Sequence, residues 1–425
     1  MREKLAELSP LMVASFLVQA SNAAITTMIA IVIARQPGGE QSDVSLIAAC
    51  YALGFMFGCF LAPAQAYRVG LIRAYAAAAA LVTISIVGLE LLQGAVPWAF
   101  LRFVMGASIA AVLAISDTWL NGNTPGKLRG RVIAVYAIVL GTGSLTSQMV
   151  FLFVDAEAGG FMLMFAAVMN FAVVLVALTS SQPPVAEAAA EKRSGILTIT
   201  SWTAGVAAFV CGFGTVSIVS ILPFYLTQHQ VPAQLVAMSL AALYLGRLLF
   251  QWPVGLLSDR MDRRIVLIAL AAVVAALMAL MLVIGAREGK IFSGALGPLL
   301  QATAFGSMFL LGGAIYPIYS VASALAFDRA EGRSMIDISK SLLVIFSIGS
   351  ISGPFIVMGV NKIVGDVALG ACLLAAALLV VGTGILRKVA IRAVEEPVTS
   401  TVIIPESSVE MVEAAATLVE EESRE

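Results

Sequence analysis

Twelve times along this chain an apolar run reaches about the 20 residues that a helix needs to cross a hydrocarbon core roughly 30 Å thick. The runs fall at about 9–34, 44–66, 72–93, 96–118, 132–154, 161–179, 197–225, 235–257, 265–286, 295–322, 335–360 and 367–386. Short breaks carrying Gly, Pro and charge part them, among them Gln36-Pro-Gly-Gly and the stretch from Asn361 to Asp366. In lipid every backbone N–H and C=O needs a partner within the protein, so runs of this length read as spanning helices. Barrel strands would be about ten residues long and alternating. Composition agrees: 60% of residues are hydrophobic and 12% charged, against about 25% charged in a soluble domain. The net charge of −1 suggests neither nucleic acid nor a strongly acidic partner. Met1-Arg-Glu-Lys precedes an apolar run far longer than the roughly 7–15 residues of a signal-peptide core, so that run reads as the first span.

Lys and Arg gather on the cytoplasmic side of membrane helices. With the N-terminus placed there, nineteen of the 25 basic residues fall inside, four outside, and Arg102 and Arg247 within spans. Both termini are therefore expected in the cytoplasm, in a multi-pass protein of the plasma membrane, here a bacterial inner membrane. The longest internal polar segment, with Pro183-Pro184 and Glu191-Lys-Arg, lies near the midpoint. The expected organisation is a six-helix half over 1–179, a cytoplasmic linker over 180–195, a second six-helix half over 196–390, and an acidic, largely disordered tail over 391–425.

The halves echo each other. Ala66-Tyr-Arg-Val-Gly follows the second span, and Ser258-Asp-Arg-Met-Asp-Arg-Arg follows the eighth. Arg129-Gly-Arg131 precedes the fifth, and Glu331-Gly-Arg333 the eleventh. Val139-Leu-Gly-Thr-Gly-Ser-Leu-Thr matches Ile345-Phe-Ser-Ile-Gly-Ser-Ile-Ser. The offsets of 192, 202 and 206 residues are all near half the chain, the internal repeat expected of secondary transporters.

The loop Gly255-Leu-Leu-Ser-Asp259-Arg260-Met-Asp-Arg263-Arg264 resembles a motif of the major facilitator superfamily, Gly-x-x-x-Asp-Arg-x-Gly-Arg-Arg, with Asp262 at the second Gly. The first-half copy is degenerate, with Tyr67 before Arg68 where the acid belongs. Trp119-Leu-Asn and Arg129-Gly-Arg-Val-Ile-Ala-Val-Tyr136 resemble the YcaD-like branch. The resemblance covers about residues 9–390. It implies an all-α integral membrane fold of twelve spanning helices, arranged as two pseudo-symmetric bundles. It also implies a cytoplasmic latch in this loop, whose arginines Asp328 and Asp337, near the facing ends of the tenth and eleventh spans, can receive. Read from the residues alone, those arginines serve equally as topology determinants.

Ionisable groups inside spans are costly and mark function by default. Arg247 stands twelve residues before Asp259, roughly 18 Å up the helix. It is expected to face a wet cavity, where an anionic group on a substrate would explain it; a structural hydrogen bond to helix carbonyls is the alternative. Glu90 and Arg102 flank the turn near Gly94 to Val96. A structural salt bridge between them is expected, with gating or proton coupling as the alternative. Gln19 and Asn22 share one face of the first helix. Gln148, Asn170, Gln301, Tyr316 and Tyr319 are further polar residues within spans. In the family the first, fourth, seventh and tenth spans line the cavity, which favours Gln19, Asn22 and Tyr316. For each singly, an interhelical hydrogen bond is an equal reading.

The function these features imply is secondary transport of a small solute by alternating access around a midplane site. The other class is a non-transporting membrane sensor or scaffold with the same fold. A membrane enzyme has little support. His229 is the single histidine, and no Cys-x-x-Cys or P-loop is present. Cys50, Cys59, Cys211 and Cys372 all lie in apolar runs and read as packing residues. No cofactor, metal or nucleic acid is expected. The expected partners are a small-molecule substrate, membrane lipid and a proton as coupling ion, and the expected state is a monomer.

Overall fold

The structure, a computed structural model, describes residues 2–154, 160–179, 200–288, 298–330 and 335–390. The linker at 180–195, Glu331-Gly-Arg333 and the acidic tail lie outside the described residues.

Helices account for nearly all of the described chain. The first half holds α1 (Arg2–Arg35), α2 (Gln41–Val69), α3 (Leu71–Leu91), α4 (Ala95–Gly122), α5 (Gly126–Val150) and α6 (Phe161–Ala177). The second holds α7 (Trp202–Gln228), α8 (Ala233–Arg260), α9 (Arg263–Glu288), α10 (Pro298–Ile315), α11 (Pro317–Phe327), α12 (Met335–Val364) and α13 (Ala368–Ala390). Turn chemistry sets the short connections. Gly70 alone joins α2 to α3 at φ 87°, and Gly94 opens α4 at φ 105°, angles that cost a residue with a Cβ. Glu40 and Asp43 close a capping box at the start of α2, which satisfies donors that a helix N-terminus leaves open.

Each of the twelve apolar runs carries a helix, with two departures from the sequence reading. The tenth run is broken: α10 ends at Ile315 and α11 begins at Pro317. Proline lacks the N–H of the helical ladder and crowds the preceding turn. By length and hydropathy, ten stretches qualify as spans among the described residues. One of these, Asp337–Leu386, contains both α12 and α13, joined by a short 3-10 turn at Gly365–Val367, and α6 has only 17 residues.

Packing repeats between the halves. α1 lies on α5 and α6, α2 on α4, and α3 on α4 and α6; equivalently α7 lies on α12 and α13, α8 on α10, and α9 on α10 and α13. The halves meet through α1 with α7, and through two symmetry-related contacts, α2 with α12 and α5 with α8. The Ser45 hydroxyl donates to the Pro354 carbonyl across that junction, at 3.1 Å. Large apolar side chains stay exposed around the outside, among them Phe100 at 67% and Phe153 at 86%. Water penalises such a surface and lipid does not. The chain is a multi-pass membrane protein.

Candidate functional site

The site begins with glycines. Gly54, Gly58 and Gly106 bring α2 and α4 nearly into backbone contact: a Cβ on Gly106 would fall 2.2 Å from the Tyr51 carbonyl oxygen. Small residues allow such approach in membranes, where packing rather than hydrophobicity drives association. One turn before Gly106 on the same helix stands Arg102. The close approach sets its guanidinium 4.1 Å from the centre of the Tyr51 ring. Its Nη2 donates to the Thr26 hydroxyl on α1 at 3.0 Å, and Nη1 lies 3.3 Å from the Met105 sulfur.

The second half builds the same feature on the equivalent helix pair with the roles exchanged. Gly246 on α8 and Gly312 on α10 press against the Phe309 and Leu243 carbonyls, where a Cβ would fall at 1.8 and 1.9 Å. Arg247 follows Gly246, and Tyr316 lies one turn beyond Gly312, at the break before Pro317. The Arg247 guanidinium sits 4.5 Å from the Tyr316 ring centre, and Tyr244 packs against the same ring. In the first half the cation is on α4 and the ring on α2; in the second the cation is on α8 and the ring ends α10.

Both features line one cavity of about 190 Å³ between the halves. Gln19, Asn22, Arg102, Arg247 and Tyr316 all border it, with Tyr51, Phe55, Thr215, Tyr244 and Phe346. Gln19 Nε2 donates to Ser144 at 2.9 Å, and Asn22 Nδ2 donates to the Tyr51 hydroxyl at 2.9 Å. Asn22 Oδ1 and Arg102 Nε are buried with no hydrogen-bond partner, a condition that costs free energy unless something fills it.

Glu90 and Gln148 stand apart from the cavity. Glu90 does not pair with Arg102: its carboxylate accepts from the Gly160 backbone N–H at 3.1 Å, away from the cavity. The rotation of α4 turns Arg102 toward Thr26 on α1 and Tyr51 on α2. Gln148 is fully buried outside the cavity, accepting from Thr27 at 3.2 Å and so fastening α5 to α1.

The loop arginines divide their work unequally. Arg263 pairs with Asp328, donates to the Ala324 carbonyl at 3.0 Å and approaches Asp259 at 3.8 Å. Arg263 therefore braces α8, α9 and α11 within one half. Asp262, at the motif's second Gly, caps the start of α9 by accepting from the Arg264 backbone N–H at 2.9 Å. Arg264 is buried and Arg260 exposed. Asp337, expected to share the arginines, stands in the first turn of α12, where the helix dipole favours an anion; the Arg263 pairs run to Asp328 and Asp259 instead. Arg68 is exposed in the last turn of α2, and a Cβ on Gly255 would meet open space.

A model of the Major Facilitator Superfamily matches residues 11–354. The chain belongs to this family. Two relatives, each described as "Uncharacterized MFS-type transporter YcaD", come from Escherichia coli O7:K1 and from E. coli K12. They are 24% and 25% identical over 314 and 318 residues, which is 73% of this chain and 78% of theirs. The fold is similar to that of the nucleoside transporter NupG, with a TM-score of 0.72 at 11% identity, covering 89% of this chain and 99% of that one. It is also similar to the E. coli xylose transporter XylE, with a TM-score of 0.66 at 13% identity over 93% of this chain and 99% of that one. As a family member the chain is a secondary transporter of small molecules, not an enzyme.

The residues singled out in the sequence that do meet at the cavity are Gln19, Asn22, Arg102, Arg247 and Tyr316. Tyr51, Tyr244 and Thr26 escaped that reading. Tyrosines and threonines within spans are common, and no spacing ties Tyr51 to Arg102.

Proposed function

We propose that solute crosses through the central cavity as the two halves rock about it, opening the cavity to one side and then the other. The observation that carries this is one cavity bordered by α1, α2, α4 and α5 from one half and by α7, α8, α12 and Tyr316, at the break between α10 and α11, from the other. Arg102, Arg247, Gln19, Asn22 and Tyr316 contact the solute. Gln148 and Glu90 hold the first half together, and the Arg263 network holds the second.

The basic bias supports a topology with both termini, the Asp259 loop and the linker in the cytoplasm of a bacterial cell; we take the protein to work as a monomer in the inner membrane. A proton gradient is the coupling source to test first, since one fold neighbour is described as a D-xylose-proton symporter (TM-score 0.63, 16% identity, 88% of this chain and 95% of that one).

Purified protein is screened for solutes that raise its melting temperature, since binding to the folded state stabilises it. Hits are then followed into proteoliposomes with and without a proton gradient. A stabilising solute should accumulate, and Arg247→Ala should lose both stabilisation and flux. Undiminished binding and flux in that variant would remove Arg247 from the site.

A further inference from the structure

The cavity carries two guanidiniums, Arg102 from one half and Arg247 from the other, and no Asp or Glu stands among the described residues that line it. Arginine stays charged under all physiological conditions. Each cation rests on an aromatic face, 4.1 Å from Tyr51 and 4.5 Å from Tyr316, which orients it and partly offsets its desolvation. The rings bring no compensating full charge. Arg102 is 2% exposed, and its Nε is a buried donor without a partner. Asn22 Oδ1 beside it is a buried acceptor without one. Around the charges the wall is aromatic, with Tyr51, Phe55, Tyr244, Tyr316 and Phe346.

Resting on the transport reading above, we infer that the solute is a small organic anion, its acidic group held between Arg102 and Arg247 and its carbon body against the rings. Guanidinium offers a donor fork that fits a carboxylate or a phosphate. The aromatic wall favours an organic anion over a bare halide. Because each half supplies one cation, an anion between them attracts the halves to each other.

The test reads the charge of the cavity directly and needs no knowledge of the substrate. A full-length cysteine-free protein (Cys50→Ala, Cys59→Ala, Cys211→Ala, Cys372→Ala) receives Val219→Cys on the cavity wall. Its labelling is timed with the anionic sulfonatoethyl and the cationic trimethylammonioethyl methanethiosulfonates, each rate divided by that on free cysteine. The expected ratio favours the anion by roughly tenfold or more, as focused fields raise local counter-ion concentration. It should fall toward parity in Arg102→Gln/Arg247→Gln and persist in Arg102→Lys/Arg247→Lys. Benzoate or phenyl phosphate should slow labelling, and benzylamine should not.

Parity or cation preference in the Val219→Cys protein, or equal protection by benzylamine, overturns the inference. The two readings fail separately. Anion preference without flux of any solute would remove transport and leave the anionic site. Flux of neutral or cationic solutes without anion preference would do the reverse.

Discussion

Arg102 and Arg247 each stand against an aromatic ring, and the contacts are testable residue by residue. Cation–π contacts are worth about 0.5–2 kcal/mol, so a double-mutant cycle on Arg102→Gln and Tyr51→Leu should show coupling of that order in thermal unfolding. The cycle on Arg102→Ala and Glu90→Ala should show none, because Glu90 serves the Gly160 N–H. Coupling between Arg102 and Glu90 with none to Tyr51 would reverse the assignment. Polar residues inside oily runs were legible at this scale, because lipid makes them conspicuous: Arg247, Arg102, Gln19, Asn22 and Tyr316 all reach the cavity. Pairing was not legible. Equal depth on neighbouring helices leaves the rotation of each helix about its axis undetermined, and rotation decides whether Arg102 meets Glu90 or Tyr51.

Glycines at helix crossings act at the scale of elements. Gly246→Ala places a methyl 1.8 Å from the Phe309 carbonyl, which only a separation of α8 and α10 relieves. Overpacking of this kind costs about 1–3 kcal/mol, and the separation should also loosen Arg247 from Tyr316. Gly255→Ala meets open space and should instead gain about 0.5–1 kcal/mol from the lower backbone entropy of alanine in a helix. Thermal melts of the two variants check both signs; equal shifts would mean that the crossing is not as close as described. The twelve apolar runs are legible in the sequence but the break at Tyr316 is not, although Pro317 follows it. Long spanning helices tolerate internal prolines, as Pro63, Pro223 and Pro253 do here, so proline alone does not locate a break.

The whole molecule is two similar bundles, and what differs between them is informative. The second carries an intact charged loop, whose Arg263–Asp328 pair ties α9 to the end of α11. Burial raises the Asp328 carboxyl above the ordinary 3.8, while Arg263 pulls it the other way. For a carboxylate with a raised pKa, the ionised form and its pair persist at higher pH and are lost as pH falls through the raised value. Acidifying that face should therefore free Arg263 at a pH above 3.8. A fluorophore near Asp328 should report a pH step that Asp328→Asn abolishes; an unchanged step in that variant would exclude the carboxyl. The twofold relation was legible as offsets near half the chain, because the first bundle keeps a degenerate copy of the loop and both keep the glycine-rich helices. The partition of the Arg263 contacts was not, since motif residues look alike in sequence whether they bridge halves or brace one.

Rocking of the two bundles about the cavity is the claim on which the rest depends. Distances between spin labels across α2 and α12 test it most directly, with one pair at Ser42 and Lys362 and the other at Val69 and Lys340, the opposite ends of the same helix pair. The account predicts two populations in each pair, shifting in opposite directions when a bound solute is added: one end closes as the other opens. Single, fixed distances at both ends, or ends that open and close together, would contradict it.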